Sequence, residues 1–189
     1  MVNTGWTLVM MMQSSDFNTL RYDSAYWSND ATLAETTLDP KVDVNMKNLA
    51  YSYLPVNKMR FDIVSVNNSR IMNVVGSSAK ALLSGAFISG PFSRGDYISW
   101  LSDVSSTNFD GQPNCNAQGI QVSVSGSGQY CNCRFGISMN NENDCASNDA
   151  AVGIGCHTNS FYVNRFSAAG GHRWNPSERY SRRGWIYVK

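Results

Sequence analysis

With 189 residues, 42% of them hydrophobic and 12% aromatic, the chain is long enough for one domain with its own core and too rich in Trp, Tyr and Phe to stay disordered. A formal net charge of +1 excludes the global field that draws a protein onto nucleic acid or an acidic membrane surface. Charged residues make up only 15%, below the ~25% usual for soluble domains. Polarity comes instead from Asn, Ser, Thr and Gly, a composition suited to secreted or surface-exposed proteins that bind neutral polar ligands.

The stretch "GWTLVMMM" (5–12) predicts a buried strand, an apolar run bounded by Gly and by the polar "QSSD". Residues 14–43 read as an irregular segment pinned to the core by Tyr22, Tyr26 and Trp27. "MRFDIVSV" (59–66) and "RIMNVV" (70–75) predict a hairpin around "NNS", where Asn67 forms an N-glycosylation sequon relevant to a eukaryotic secretory source. "SSAKALLSG" supplies a Ser cap, helix formers and a closing Gly, and "DYISWLSDV" spaces Tyr97, Trp100, Leu101 and Val104 as one helical face. Between them "SRGDY" contains Arg94-Gly95-Asp96, readable either as an integrin-type adhesion tripeptide or as a helix start capped through Asp96. Strand alternation returns in "GIQVSVSGSG", "CRFGISM" and the closing "GWIYVK". No internal repeat is expected. Several strands, few short helices and long polar connections predict one α+β domain over 1–189 with a functional loop face. The first residues lack the order of a signal peptide, and no apolar run approaches the ~20 residues of a membrane span, so membrane insertion is not expected.

Cys115, Cys131, Cys133, Cys145 and Cys156 read as disulfide cysteines rather than zinc ligands, because no CxxC pair is present. Their pairing stays open, and the odd thiol suggests a partner cysteine outside this chain. The segment "NNENDCASNDAAVGIGC" (140–156) gathers Asn140, Glu142, Asn143, Asp144 and Asp149 within ten residues. That inventory of oxygens suits a calcium ion, which takes about 6 to 8 of them. A bridge from Cys145 to Cys156 would close such a loop. Two other readings compete: a solvated turn, and a catalytic pair formed by Glu142 and Asp149. His157 and His172 lie in no recognisable Ser or Cys motif, so an enzyme is not expected. The last eighteen residues set Arg173, Arg179, Arg182, Arg183 and Lys189 against Glu178, with Trp174 and Tyr180 interleaved. Such a pattern fits a sugar-binding wall in which an aromatic face stacks on a pyranose and Arg meets carboxylate or sulfate; equally, the arginines balance the acidic loop while Trp174 packs.

"GWTLVMMM" resembles the "GGWTLV" strand of fibrinogen-related domains, and "NENDC…GIG" is similar to their cation-binding stretch, most closely in the intelectin (X-type lectin) branch. "YDSAYW" and "GWIYVK" extend the likeness over nearly the whole chain. The resemblance implies a fibrinogen C-terminal-like α+β domain with a central mostly antiparallel sheet and long calcium-binding loops. It also implies that Asn140, Glu142 and Asn143 coordinate Ca²⁺, with Asn143 standing where intelectins have a histidine. In that branch the ion holds a sugar by a vicinal diol against aromatic residues, for which Trp174 and Tyr180 are the candidates here; Asn143, His172 and Arg173 complete the expected ligand-binding residues. The expectation is a calcium-dependent lectin-like domain for cell-surface glycans, anionic ones included. It would be extracellular or displayed on a cell, fibre or virion, as a homo-oligomer or attached to a larger chain. The rival expectation is an adhesion or fibre-tip module in which calcium only stabilises loops.

Overall fold

The computed structural model describes residues 5–16, 18–65, 68–101, 111–123, 130–160, 163–172 and 179–189. Two antiparallel sheets replace the single central sheet expected from the sequence. The first runs in the order β2 (Met46–Lys47), β1 (Thr7–Met12), β11 (Gly184–Val188), β3 (Val56–Ile63), β4 (Ser69–Gly76). The second runs β10 (Arg179–Ser181), β9 (Val163–His172), β8 (Ala150–Ser160), β7 (Tyr130–Asn140), β6 (Asn114–Val122), β5 (Ile88–Ser89). Three short helices, α1 (Ala50–Tyr53), α2 (Ala79–Leu83) and α3 (Arg94–Ser99), complete the described elements with a 3-10 turn at Ala25–Trp27.

The expected hairpin forms between β3 and β4, with Met59 opposite Met72. β1 and β11 pair along their lengths, so the first and last predicted strands lie side by side inside the first sheet. β1 is apolar from Leu8 to Met12, and from Val9 onward both of its faces are covered. Val9, Met10 and Met12 enter the main core, while Met11 joins Met46, Trp185 and Tyr187 on the outer face, under a loop whose Pro40 carbonyl accepts from Trp185 Nε1. The two sheets share the main core: the Phe61 ring of β3 stacks on Phe135 of β7 at 3.7 Å between centroids, with Trp100 edge-on to it. Aromatic pairs of this kind add about 0.5–1.5 kcal/mol beyond the area they bury.

The irregular segment is pinned as expected. Trp27 is fully buried, and the Arg134 guanidinium lies over the Tyr22 ring at 4.4 Å while donating to the carbonyls of Tyr22 and Leu83. α3 begins in a capping box, in which the Asp96 carboxylate accepts from the Ser93 N–H and hydroxyl and Ser93 Oγ accepts from Asp96 N–H. Arg94 donates to the Gln112 carbonyl. The Arg-Gly-Asp tripeptide is therefore the first turn of a helix with both charged side chains engaged, and Asp96 has the capping role. Asn67 lies outside the described residues.

The second sheet carries a feature that was not expected. Gly119 faces Gly136, Gly136 faces Gly153 and Gly153 faces Gly170, a line of glycines crossing four strands at a constant spacing of seventeen. A Cβ on Gly136 would lie 2.3 Å from the Val152 carbonyl oxygen, and one on Gly153 would lie 2.2 Å from that of Phe135. Only glycine permits so close an approach, and the line acts as a crease. The curl is visible in its consequences: Asn148, just before β8, reaches Ser138 with its side chain and Cys131 with its carbonyl, although those two stand seven positions apart on β7. Strands β6 to β9 are thus a regular meander, a repeat where none was expected.

Candidate functional site

Residues 141–149 join β7 to β8. Asn140, fully buried at the end of β7, organises them: its Nδ2 donates to the carbonyls of Asp144 (2.7 Å) and Ser147 (2.5 Å), and its Oδ1 accepts from Asn141 N–H. The Asp144 carboxylate turns inward on the same loop, accepting from Ala146 N–H and Ser147 Oγ. Asn114 Nδ2 donates to the Asn141 carbonyl. A disulfide between Cys115 and Cys145 ties the loop to the start of β6.

The loop is therefore closed by Cys115, and the Cys145–Cys156 bridge weighed from the sequence does not form. Cys156 instead bridges Cys133, directly opposite it across the β7–β8 pair. Cys131, grouped with the disulfide cysteines from the sequence, is free and buried, so in this conformation it is closed to a cysteine of another chain. Each of these outcomes follows from register, which a cysteine count does not contain.

Glu142 and Asn143 are exposed, and Asp149 is half-buried. Burial, and after it the charge of Glu142, raises the Asp149 pKa, and no hydrogen bond among the described residues draws it back down. The neighbouring Asn148 was not singled out from the sequence. It is 1% exposed, its Nδ2 donates to Ser138 Oγ at 2.7 Å, and its Oδ1 has no hydrogen-bond partner among the described residues. An unpaired buried carbonyl oxygen costs about 1–3 kcal/mol and calls for a donor, a water or a cation. Here it belongs to the residue preceding an acid whose charge is already disfavoured. The only sequence signal was the pairing of amide and acid in "SND".

Among the described residues no three His, Cys, Asp or Glu side chains stand close enough to enclose an ion by themselves. A hard ion completes its shell from amide and backbone oxygens and water, so two acids with Asn148 Oδ1 and Asn143 form a chemically suitable donor set for calcium.

The meander brings a second group of expected residues to the same end of the sheet. Met139 pairs with Ala150, Ala151 with His172, His172 with Arg179 and Gly171 with Tyr180. His172 and Tyr180 thus occupy strand ends neighbouring the acidic loop, placed by backbone alone. Arg173 and Trp174 lie outside the described residues. His157 is on β8, where burial lowers its pKa; it faces the charges of Asp23 and Arg21 and does not belong to this end.

Comparison with protein-family models, with curated proteins and with solved structures finds no match to this chain.

Proposed function

We propose that the chain is a calcium-dependent recognition domain for surface glycans, with the ion held at the β7–β8 loop by Asp149, Glu142, Asn143 and Asn148. The observation carrying this reading is the orphaned Asn148 Oδ1 beside Asp149, whose pKa is raised by burial and by Glu142. A divalent cation would supply the missing partner for the amide oxygen and cancel the repulsion between the acids. Asn140 and Asp144 shape the loop through hydrogen bonds to its backbone, and Asp144 keeps lone pairs that an ion can use.

The exposed Asn143 and the strand ends bearing His172 and Tyr180 would face the sugar, with Arg173 and Trp174 between them in sequence. Two adjacent hydroxyls can replace two calcium-bound waters together, so one immobilised group gains two ligands. The finer fold reading is a fibrinogen-related domain of intelectin-like type, supported by the adjacency of "GWTLVMMM" and "GWIYVK" and by the oxygen-rich loop preceding Cys145. Two disulfides suit an oxidising compartment, and no described helix is long and apolar enough to cross a membrane; we place the domain outside the cell or on a displayed surface. No covalent chemistry is part of this reading.

The internal use of Asn140 and Asp144 favours a second reading, an adhesion or fibre-tip module in which calcium only holds the loop. A glycan array read with calcium and with chelator separates the two. Sugar binding that vanishes with chelator supports the lectin; partner binding without any sugar preference supports the module.

A further inference from the structure

Away from the acidic loop surface, three sulfurs share a small apolar cluster of their own. Cys131 and Cys133, two positions apart on β7, project to one face, and Cys156 stands opposite Cys133 on β8. Together with Val122 and Ala151 they form a buried group separate from the main core, with exposures of 1%, 0% and 2% for the three cysteines. Cys133 and Cys156 are bridged, while the Cys131 thiol donates to the Asn148 carbonyl at 3.1 Å. A free thiol buried in this way is screened from external oxidants, but it shares its cluster with a disulfide.

We propose that Cys131 is a built-in exchange partner for the Cys133–Cys156 disulfide, so that the domain interconverts between Cys133–Cys156 and Cys131–Cys156 bridges. The Cys131 thiolate attacks Sγ of Cys156, the Cys131–Cys156 bond forms as the Cys133–Cys156 bond breaks, and Cys133 leaves as a thiolate that takes up the proton Cys131 released. Nothing is oxidised or reduced overall, and no outside reagent enters. Attack at Cys156 keeps β7 stapled to β8, whereas attack at Cys133 would leave a bridge within one strand. Cys156 is the diagonal neighbour of Cys131, at about 7–8 Å between Cα atoms in a flat sheet and less between Cβ atoms. That lies just beyond the usual 4.4–6.8 Å of a bridge, so the exchanged form requires a small shift of β7 against β8. The result is a staple beneath the loop that survives loss of Cys133. The cysteine map is read without calcium, so its failure and that of the lectin reading are distinguishable.

The test maps cysteines in unreduced protein denatured at acid pH, alkylated and digested. Label divided between Cys131 and Cys133, with a linked Cys131–Cys156 peptide, is expected. Label confined to Cys131 overturns the proposal. In Cys133→Ser, thiol titration in denaturant should fall from one free thiol per chain to none; two free thiols would also overturn it. Should that variant not fold, the wild-type map decides.

Discussion

Replacing Gly136 by Ala tests whether the glycine line is structural. The added methyl carbon would lie 2.3 Å from the Val152 carbonyl oxygen and 2.8 Å from Gly153 Cα. An ordinary contact needs about 1 Å more, and both neighbours are backbone in a paired strand, so no side chain can swing away to make room. Strand β8 is held on its far side by β9 through the Gly153–Gly170 pair, so a shift must propagate across the meander. Overpacking of this kind costs about 1–3 kcal/mol, and the absence of a flexible neighbour puts this case at the upper end. For a chain of this length about 3 kcal/mol lowers Tm by roughly 6–12 °C. Gly95→Ala is the control: it sits in α3 with only Ser93 Oγ near its added carbon, at 3.7 Å, and should gain up to about 1 kcal/mol from helix propensity. Thermal unfolding followed by circular dichroism reads both. A Gly136→Ala variant melting within a degree of wild type would refute the crease.

Three further variants probe other parts of the structure. Lys47 is fully buried, donates to the Asn29 carbonyl and lies 4.9 Å from the Tyr51 ring centre; burial pushes its pKa down to about 8 from 10.5. The unfolded chain thus holds this proton to higher pH than the folded one, so between about pH 8 and 10.5 stability rises with pH through Lys47. The wild-type-minus-Lys47→Met difference in urea-unfolding free energy should grow over that window, and a flat difference contradicts it. Asn140→Ala strips two donors from the loop carbonyls and should cost about 2–3 kcal/mol in the same assay. Replacing both Cys115 and Cys145 by Ser opens a bridge of sequence separation 30, with an expected loss of about 3–4 kcal/mol by chain entropy and a weaker affinity of the loop for calcium; unchanged unfolding would show that the loop is held without it.

What the sequence revealed was local. The β3–β4 hairpin, the Ser78 cap, the capping role of Asp96 and the apolar β1 and β11 runs are written in short-range periodicity and capping chemistry, and the structure has them, although the helix cap itself is Ser93, three residues earlier. Long-range register was hidden: that Cys133 faces Cys156, that the oxygen-rich loop is tied to Cys115, and that two sheets form where one was expected. The glycine line lay between these extremes. Gly-Ile recurs at 119–120, 136–137 and 153–154, a periodic signal in plain view, but one whose meaning depends on equal hairpins stacking the glycines across strands. Within the candidate site the acids were legible by composition. Asn148 was not, because an amide becomes informative only when its burial and its missing partner are known.

Isothermal titration of calcium into chelator-treated protein tests the central claim most directly. Saturable binding of one ion per chain is predicted for the wild type, weakened at least tenfold in Asn148→Ala and lost in Asp149→Asn, while both variants keep the wild-type circular dichroism spectrum. Absence of binding up to millimolar calcium, or equal binding in all three proteins, would contradict the assignment of the β7–β8 loop as a cation site.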